Sequence, residues 1–164
     1  AKGHDIHLED LSFVEILHDR HVSGKAEGEL RLVGDVRLPS NLNGRGFLRA
    51  TDGSVESKLP LAGLRTIPFH SITVFLVIQK GMLYVNDGQI IGPAVSGTFS
   101  GEVKIEGRLS ESLLKLTARL TPGPLLNEND LAKEWIASLA DEGQPITIHL
   151  GGTLESPSIR WEED

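Results

Sequence analysis

Cysteine is absent from the chain. Its absence removes disulfides, thiolate metal sites and a cysteine nucleophile together. It suits a reducing compartment and equally an envelope protein that avoids oxidation, so it assigns no location. Long apolar runs are missing as well. The most apolar stretch, Ile72–Ile78, falls far short of the ~20 residues a spanning helix needs. No signal-peptide pattern is visible. Positive charge is in deficit: the formal net charge is -7 and no basic run offsets it. That argues against nucleic acid, whose phosphates are held by clustered Lys and Arg. No Gly-x-Ser-x-Gly elbow, no phosphate loop with its Lys and no His-Glu-x-x-His occurs, which leaves the chain without a recognisable catalytic constellation.

What the chain does have is glycine, proline and alternation. Its 164 residues are enough for one domain with a real core. Eighteen glycines, eight prolines and few aromatics suit strands and turns better than a helical bundle. From Val95 to Leu109 the odd positions are apolar or glycine and the even ones polar or charged. Period two puts one side of a strand toward a core and the other toward water. At Ser110–Ser112 the pattern breaks, and it restarts as Leu114, Leu116, Ala118 and Leu120, which predicts an antiparallel hairpin. A strand as long as Val95–Leu109 would span about 50 Å, so it has to twist or bend, and Gly97, Gly101 and Gly107 mark where.

Along the rest of the chain a short strand is expected at His4–Leu8. A short helix is expected at about 12–18, where Ser12 and Glu15 form a capping box and Phe13, Ile16 and Leu17 share a face. Val22–Leu38 reads as a strand, Pro39–Gly44 as a turn cluster in which Asn43-Gly44 supplies the positive φ of a tight turn, and Asp52-Gly53 as a hairpin turn returning through Val55–Leu61. Ile72–Ile78 is apolar on both sides, which predicts a strand covered on two faces. Lys80-Gly81 turns the chain. One definite helix is expected at about 130–140, with Leu131, Trp135 and Leu139 at i, i+4 and i+8, ended by Gly143 and Pro145. Ile146–Leu150 and Thr153–Trp161 supply the last strands. The fold class expected is mainly β: a long, twisted or curved antiparallel sheet of hairpins, in a single β-rich domain over residues 1–164. Gly28–Gly34, Gly101–Gly107 and Ile148–Leu154 echo one another as glycine-punctuated strands, consistent with stacked hairpins or with convergent β composition.

Candidate sites are surfaces rather than catalytic groups. His4 and His7, and His18 and His21 around Asp19, are spaced by three. That spacing splits a pair across the two faces of a strand, so no metal site is assigned. Glu102 and Glu106 belong to the wet side of the long run, beside Lys104 and Arg108. The apolar side, with Val95, Gly97, Phe99, Gly101, Val103 and Ile105, would form a groove if it were concave and uncovered. Leu131, Trp135 and Leu139 would offer a partner-binding helix, or more simply cover the sheet. No catalytic residue and no cofactor is expected.

Several short motifs carry a resemblance. Ile67-Pro-Phe-His-Ser-Ile72, Gly81-Met-Leu-Tyr-Val85, Gly92-Pro-Ala-Val-Ser-Gly97, Gly101-Glu-Val-Lys-Ile105 and Leu120-Thr-Pro122 look like the C-terminal part of the type II secretion system protein N family. Gly152-Thr-Leu-Glu-Ser-Pro157 followed by Arg160-Trp161 is similar too. More distantly the style resembles the AsmA and TamB proteins of the bacterial envelope, and Ser23-Gly24 to Gly34 looks like one of their strand units. The resemblance implies a periplasmic β-rich domain, part of a longer chain tethered to the inner membrane by a segment outside this sequence. It implies a non-enzymatic accessory or scaffold role in type II secretion, with other secretion-system or envelope proteins as partners and no nucleic acid. The AsmA-like relatives imply an alternative, a lipid- or hydrophobe-binding β-groove.

Overall fold

Alternation dominates the chain, and strands dominate the structure. The computed structural model describes residues 2–7, 22–35, 38–61, 64–128, 130–139 and 144–161. The expected helix at 12–18 lies outside the described residues. Among the described residues nine strands follow one another: β1 (Lys2–His7), β2 (Val22–Val33), β3 (Asn43–Leu61), β4 (Leu64–Gln79), β5 (Met82–Ile91), β6 (Val95–Lys104), β7 (Leu113–Pro122), β8 (Ile146–Gly152) and β9 (Pro157–Trp161). Each pairs antiparallel with the next, so the sheet order is the chain order. The sheet is open and curved, with β1 and β9 at its edges. Between β7 and β8 come two short helices, α1 (Pro124–Asn127) and α2 (Asp130–Ala137). No helix among the described residues is long and apolar enough to cross a membrane.

Register makes the two faces of the sheet distinct. Ala26, Ala50, Ile72, Ile90, Gly97, Leu120 and Ile146 stand side by side across seven strands. One residue over along each strand, Glu27, Arg49, Thr73, Gln89, Thr98, Arg119 and Thr147 do the same. The first row belongs to the inner, apolar face and the second to the outer, wet face, as period two requires. Under α1 and α2 the inner face buries Ala94, Val95, Ala118, Ile146 and Ile148 against Leu126, Ala132 and Ile136. A second cluster, Ala26, Ala50 and Phe69, lies farther toward β2.

Four expectations are corrected by this geometry. The alternating run Val95–Leu109 is not one strand: β6 ends at Lys104. Lys104 pairs with Met82 on one side and Leu113 on the other, the first residues of β5 and β7. Beyond it neither neighbour offers a partner, so the chain leaves the ladder. Ile105 N–H donates to Gly81 O at 2.8 Å and Glu106 N–H to Ser112 Oγ at 3.0 Å.

Asp52-Gly53 is not a hairpin turn either, because β3 runs unbroken through it. Asp52 has φ +50, and the β2–β3 register shifts beside it while the β3–β4 register does not. It is a bulge. The turn cluster Pro39–Gly44 does reverse the chain, but Asn43-Gly44 opens β3 without positive φ. The chain reverses through a 3-10 turn at Pro39–Asn41, and Asn43 Oδ1 accepts a hydrogen bond from Lys80 N–H at 3.3 Å.

The helix expected at 130–140 stops at Ala137. Leu139 N–H bonds Ile136 O, three residues back, at 2.9 Å, and such a tightened turn closes a helix. Lys80-Gly81 does make the β4–β5 hairpin. Both residues have positive φ, +50 and +80, which matches the twist of the flanking strands.

Candidate functional site

The inner-face strip named from the sequence is divided between two environments. Val95 is in the core cluster with Leu126, Ala132 and Ile136, and Phe99 packs against it. Val103 is 6% exposed. Ile105 lies past the end of β6 and is half-buried. The glycines between them do not leave open space. A Cβ on Gly97 would meet the Arg119 carbonyl and lie 2.9 Å from Leu120 Cα. One on Gly101 would lie 2.7 Å from Leu116 Cα and 3.0 Å from its Cδ2. Each glycine is therefore a position where the next strand and its leucine come close.

The helix residues named from the sequence are also placed. Leu131 and Trp135 lie within α2 with their backbone alone described, and Leu139 follows its end. Among the described side chains of α2, Ala132 and Ile136 are buried in the core cluster, with Leu139 packed against the same cluster. Among the described residues Leu126 on α1 is the largest fully buried side chain, at 1% exposure. A four-residue helix carries no period that a sequence can show, and Pro122-Gly-Pro124 has the composition of a break. Pro124 is instead the first helical residue of α1, a position where its missing N–H costs nothing.

His4 and His7 sit on β1, where only the backbone is described, and His18, Asp19 and His21 lie outside the described residues. His149 shares a hydrogen bond with Thr117 Oγ1 at 3.1 Å. His70 is exposed.

The outer face holds the feature that the sequence did not single out. β4 was expected to be covered on both sides. Its inward residues Val74 and Ile78 are buried, but Phe75 on the opposite side is 48% exposed. The β3–β4 register sets Phe47 beside Phe75 and Arg45 beside Val77. The two rings lie with centroids 5.3 Å apart and tilted by 41°, a favourable aromatic arrangement. A shallow cleft of about 400 Å³ runs over Phe47, Phe75 and Val77 and is bordered by Glu29, Arg31 and Arg45. A second, of about 430 Å³, continues from Arg31, Arg45 and Val77 to Val33 and Asn43. Val33 is 73% exposed. Together these make an apolar patch edged by arginine. Isolated exposed apolar residues are ordinary, whereas a contiguous group with a polar rim marks an interaction surface. The only signal in the sequence was apolar character at both phases of Ile72–Ile78, which burial and exposure for contact produce alike.

The fold is an open antiparallel meander that carries an apolar, arginine-edged patch on its wet face. No protein-family model, no curated protein and no solved structure matches this chain.

Proposed function

We propose that this chain is a non-enzymatic scaffold of the bacterial envelope, an accessory component of the type II secretion system that acts in the periplasm through protein–protein contacts. Its attachment to the inner membrane would come from a segment outside this sequence. The observation that carries the contact role is the half-exposed Phe75 with Phe47 and Val77 on the outer face. Aromatic anchors framed by arginine are the side chains that contribute most at protein interfaces. The glycine-punctuated antiparallel strands are consistent with the family the motifs resemble.

A hydrophobe-binding groove is the weaker reading. It needs Val95, Gly97, Phe99 and Gly101 uncovered, whereas Val95 belongs to the cluster that includes Leu126, Ala132 and Ile136, Phe99 packs against that cluster, and Leu116 lies close to Gly101.

The test is genetic and biochemical. Deleting the gene in the source bacterium should lower release of type II substrates to the medium, and the wild-type copy should restore it. Pull-down from envelope extract should recover a secretion-system component, and Phe75→Ser should recover less. A Trp135→Ala protein measures any share carried by α2. Normal secretion in the deletion strain, with no secretion component recovered by any form, would overturn the proposal.

A further inference from the structure

The β2–β3 register sets Arg31 directly opposite Arg45, and Arg45 is in turn opposite Val77. Two residues along the same strands, Glu29, Phe47 and Phe75 stand in a row. Like charges facing each other across a ladder oppose pairing, so the register sets two arginines at facing positions against their repulsion. Glu29 Oε1 accepts a hydrogen bond from Arg31 Nε. Among the described residues Arg45 makes no ion pair. The neighbouring row is balanced, with Arg49 and Glu27 3.8 Å apart. The excess positive charge of the region therefore falls on Arg45, in a chain of net charge -7, at the border of both clefts.

We propose that this patch receives an acidic, apolar-anchored segment of a partner protein. A carboxylate lies between the guanidinium groups of Arg31 and Arg45, and a large apolar side chain lies on the Phe47–Phe75 pair. This rests on the scaffold reading above and names the chemistry of its partner. The arginine row and the phenylalanine row are two residues apart along the strands, about 7 Å. In an extended segment, residues i and i+2 share a face at that same spacing. The recognised pattern is therefore a large apolar residue, any residue, then Asp or Glu, in either chain direction. Two planar guanidinium groups suit a carboxylate, which accepts paired N–H bonds. A membrane surface fits less well, because a strongly acidic chain is repelled by the many anions it presents.

Two fluorescein-labelled peptides test this against the full chain by fluorescence anisotropy: a Ser/Thr decapeptide containing Leu-Thr-Glu, and the same peptide with Leu-Thr-Lys. Wild type is expected to bind the Glu peptide at least tenfold more tightly. Arg45→Glu should reverse that order, and Phe75→Ser should weaken the Glu peptide by about tenfold. Arg45→Glu replaces a repulsive cross-strand pair with an attractive one, so it should fold, and its thermal melt checks this. Equal affinity for the two peptides, or an order unchanged by Arg45→Glu, would overturn the proposal. Co-sedimentation with phosphatidylglycerol vesicles at the expense of peptide binding would overturn it also. Charge-reversed peptide binding supports the patch even where gene deletion leaves secretion intact, a result that would count against the secretion reading alone.

Discussion

Gly101 and Gly107 occupy equivalent places in the alternating run, yet their surroundings differ. Gly101 has φ +146, and a Cβ there would press on the Leu116 backbone and side chain. Gly107 has nothing within 4 Å of that position and no positive φ. Gly101→Ala should therefore destabilise the protein by about 1–3 kcal/mol, from backbone strain and overpacking. Gly107→Ala should stay within about 0.5 kcal/mol of wild type. Urea unfolding of the two variants decides this, and equal midpoints would refute it. Leu126 presents the opposite case. It is the large side chain most completely enclosed beneath the short helices, at 1% exposure. Leu126→Ala should cost about 2–5 kcal/mol, the range for a core cavity that collapses only in part. A loss under about 1 kcal/mol would show that the helices close over the gap.

Asp-Gly occurs twice inside a strand, at Asp52-Gly53 in β3 and Asp87-Gly88 in β5. Both aspartates have left-handed backbone, φ +50 and +49, and register shifts accompany both. Asp tolerates this conformation and a β-branched residue does not. In an ordinary strand, Asp→Val would raise stability through β-propensity. At these two bulges Asp52→Val and Asp87→Val should each cost about 1–2 kcal/mol, while Asp→Gly should be nearly neutral. Thermal melts that place the Val variants at or above wild type would contradict the bulge assignment.

The same pair shows how far the sequence could be read. Asp-Gly announces positive φ in either setting. Whether the chain then reverses or merely bends depends on which strand lies alongside, and that is long-range information. The β class, the Lys80-Gly81 hairpin and the β6–β7 pairing were legible because period two and turn chemistry are local. The end of β6 was not legible, because it is set by where β5 and β7 begin. The outer patch was hidden for a similar reason. Val74, Phe75, Leu76, Val77 and Ile78 are all apolar, and only the register shows that Phe75 and Val77 share the wet face with Arg45 and Arg31. Pairing of identical charge at Arg31 and Arg45 is likewise invisible until β2 and β3 are aligned.

At the scale of the whole molecule, consecutive pairing has a consequence for how stability is distributed. Among the described residues each strand pairs with its neighbours in sequence, and the order β1 to β9 puts β1 and β9 at the two edges. The edges are not alike. β9 is five residues long and opens with Pro157, two features that blunt an edge against further pairing. The centre differs again: β6 and β7 pair over ten successive positions without a shift, under the cluster that Leu126, Ala132 and Ile136 complete. Backbone hydrogen bonds buried beneath such a cluster open only with global unfolding, whereas edge strands fray locally. Native-state hydrogen exchange should therefore show the greatest protection in β6, β7 and the adjoining half of β5, at the full unfolding free energy. β9 should exchange through openings at least 2 kcal/mol cheaper, or about thirtyfold faster. Leu126→Ala should lower the protection of β6 and β7 together while leaving that of β9 nearly unchanged, because β9 already exchanges without waiting for the core to open. Uniform protection across all strands, falling equally everywhere in Leu126→Ala, would show instead that the open meander unfolds as one unit from edge to edge.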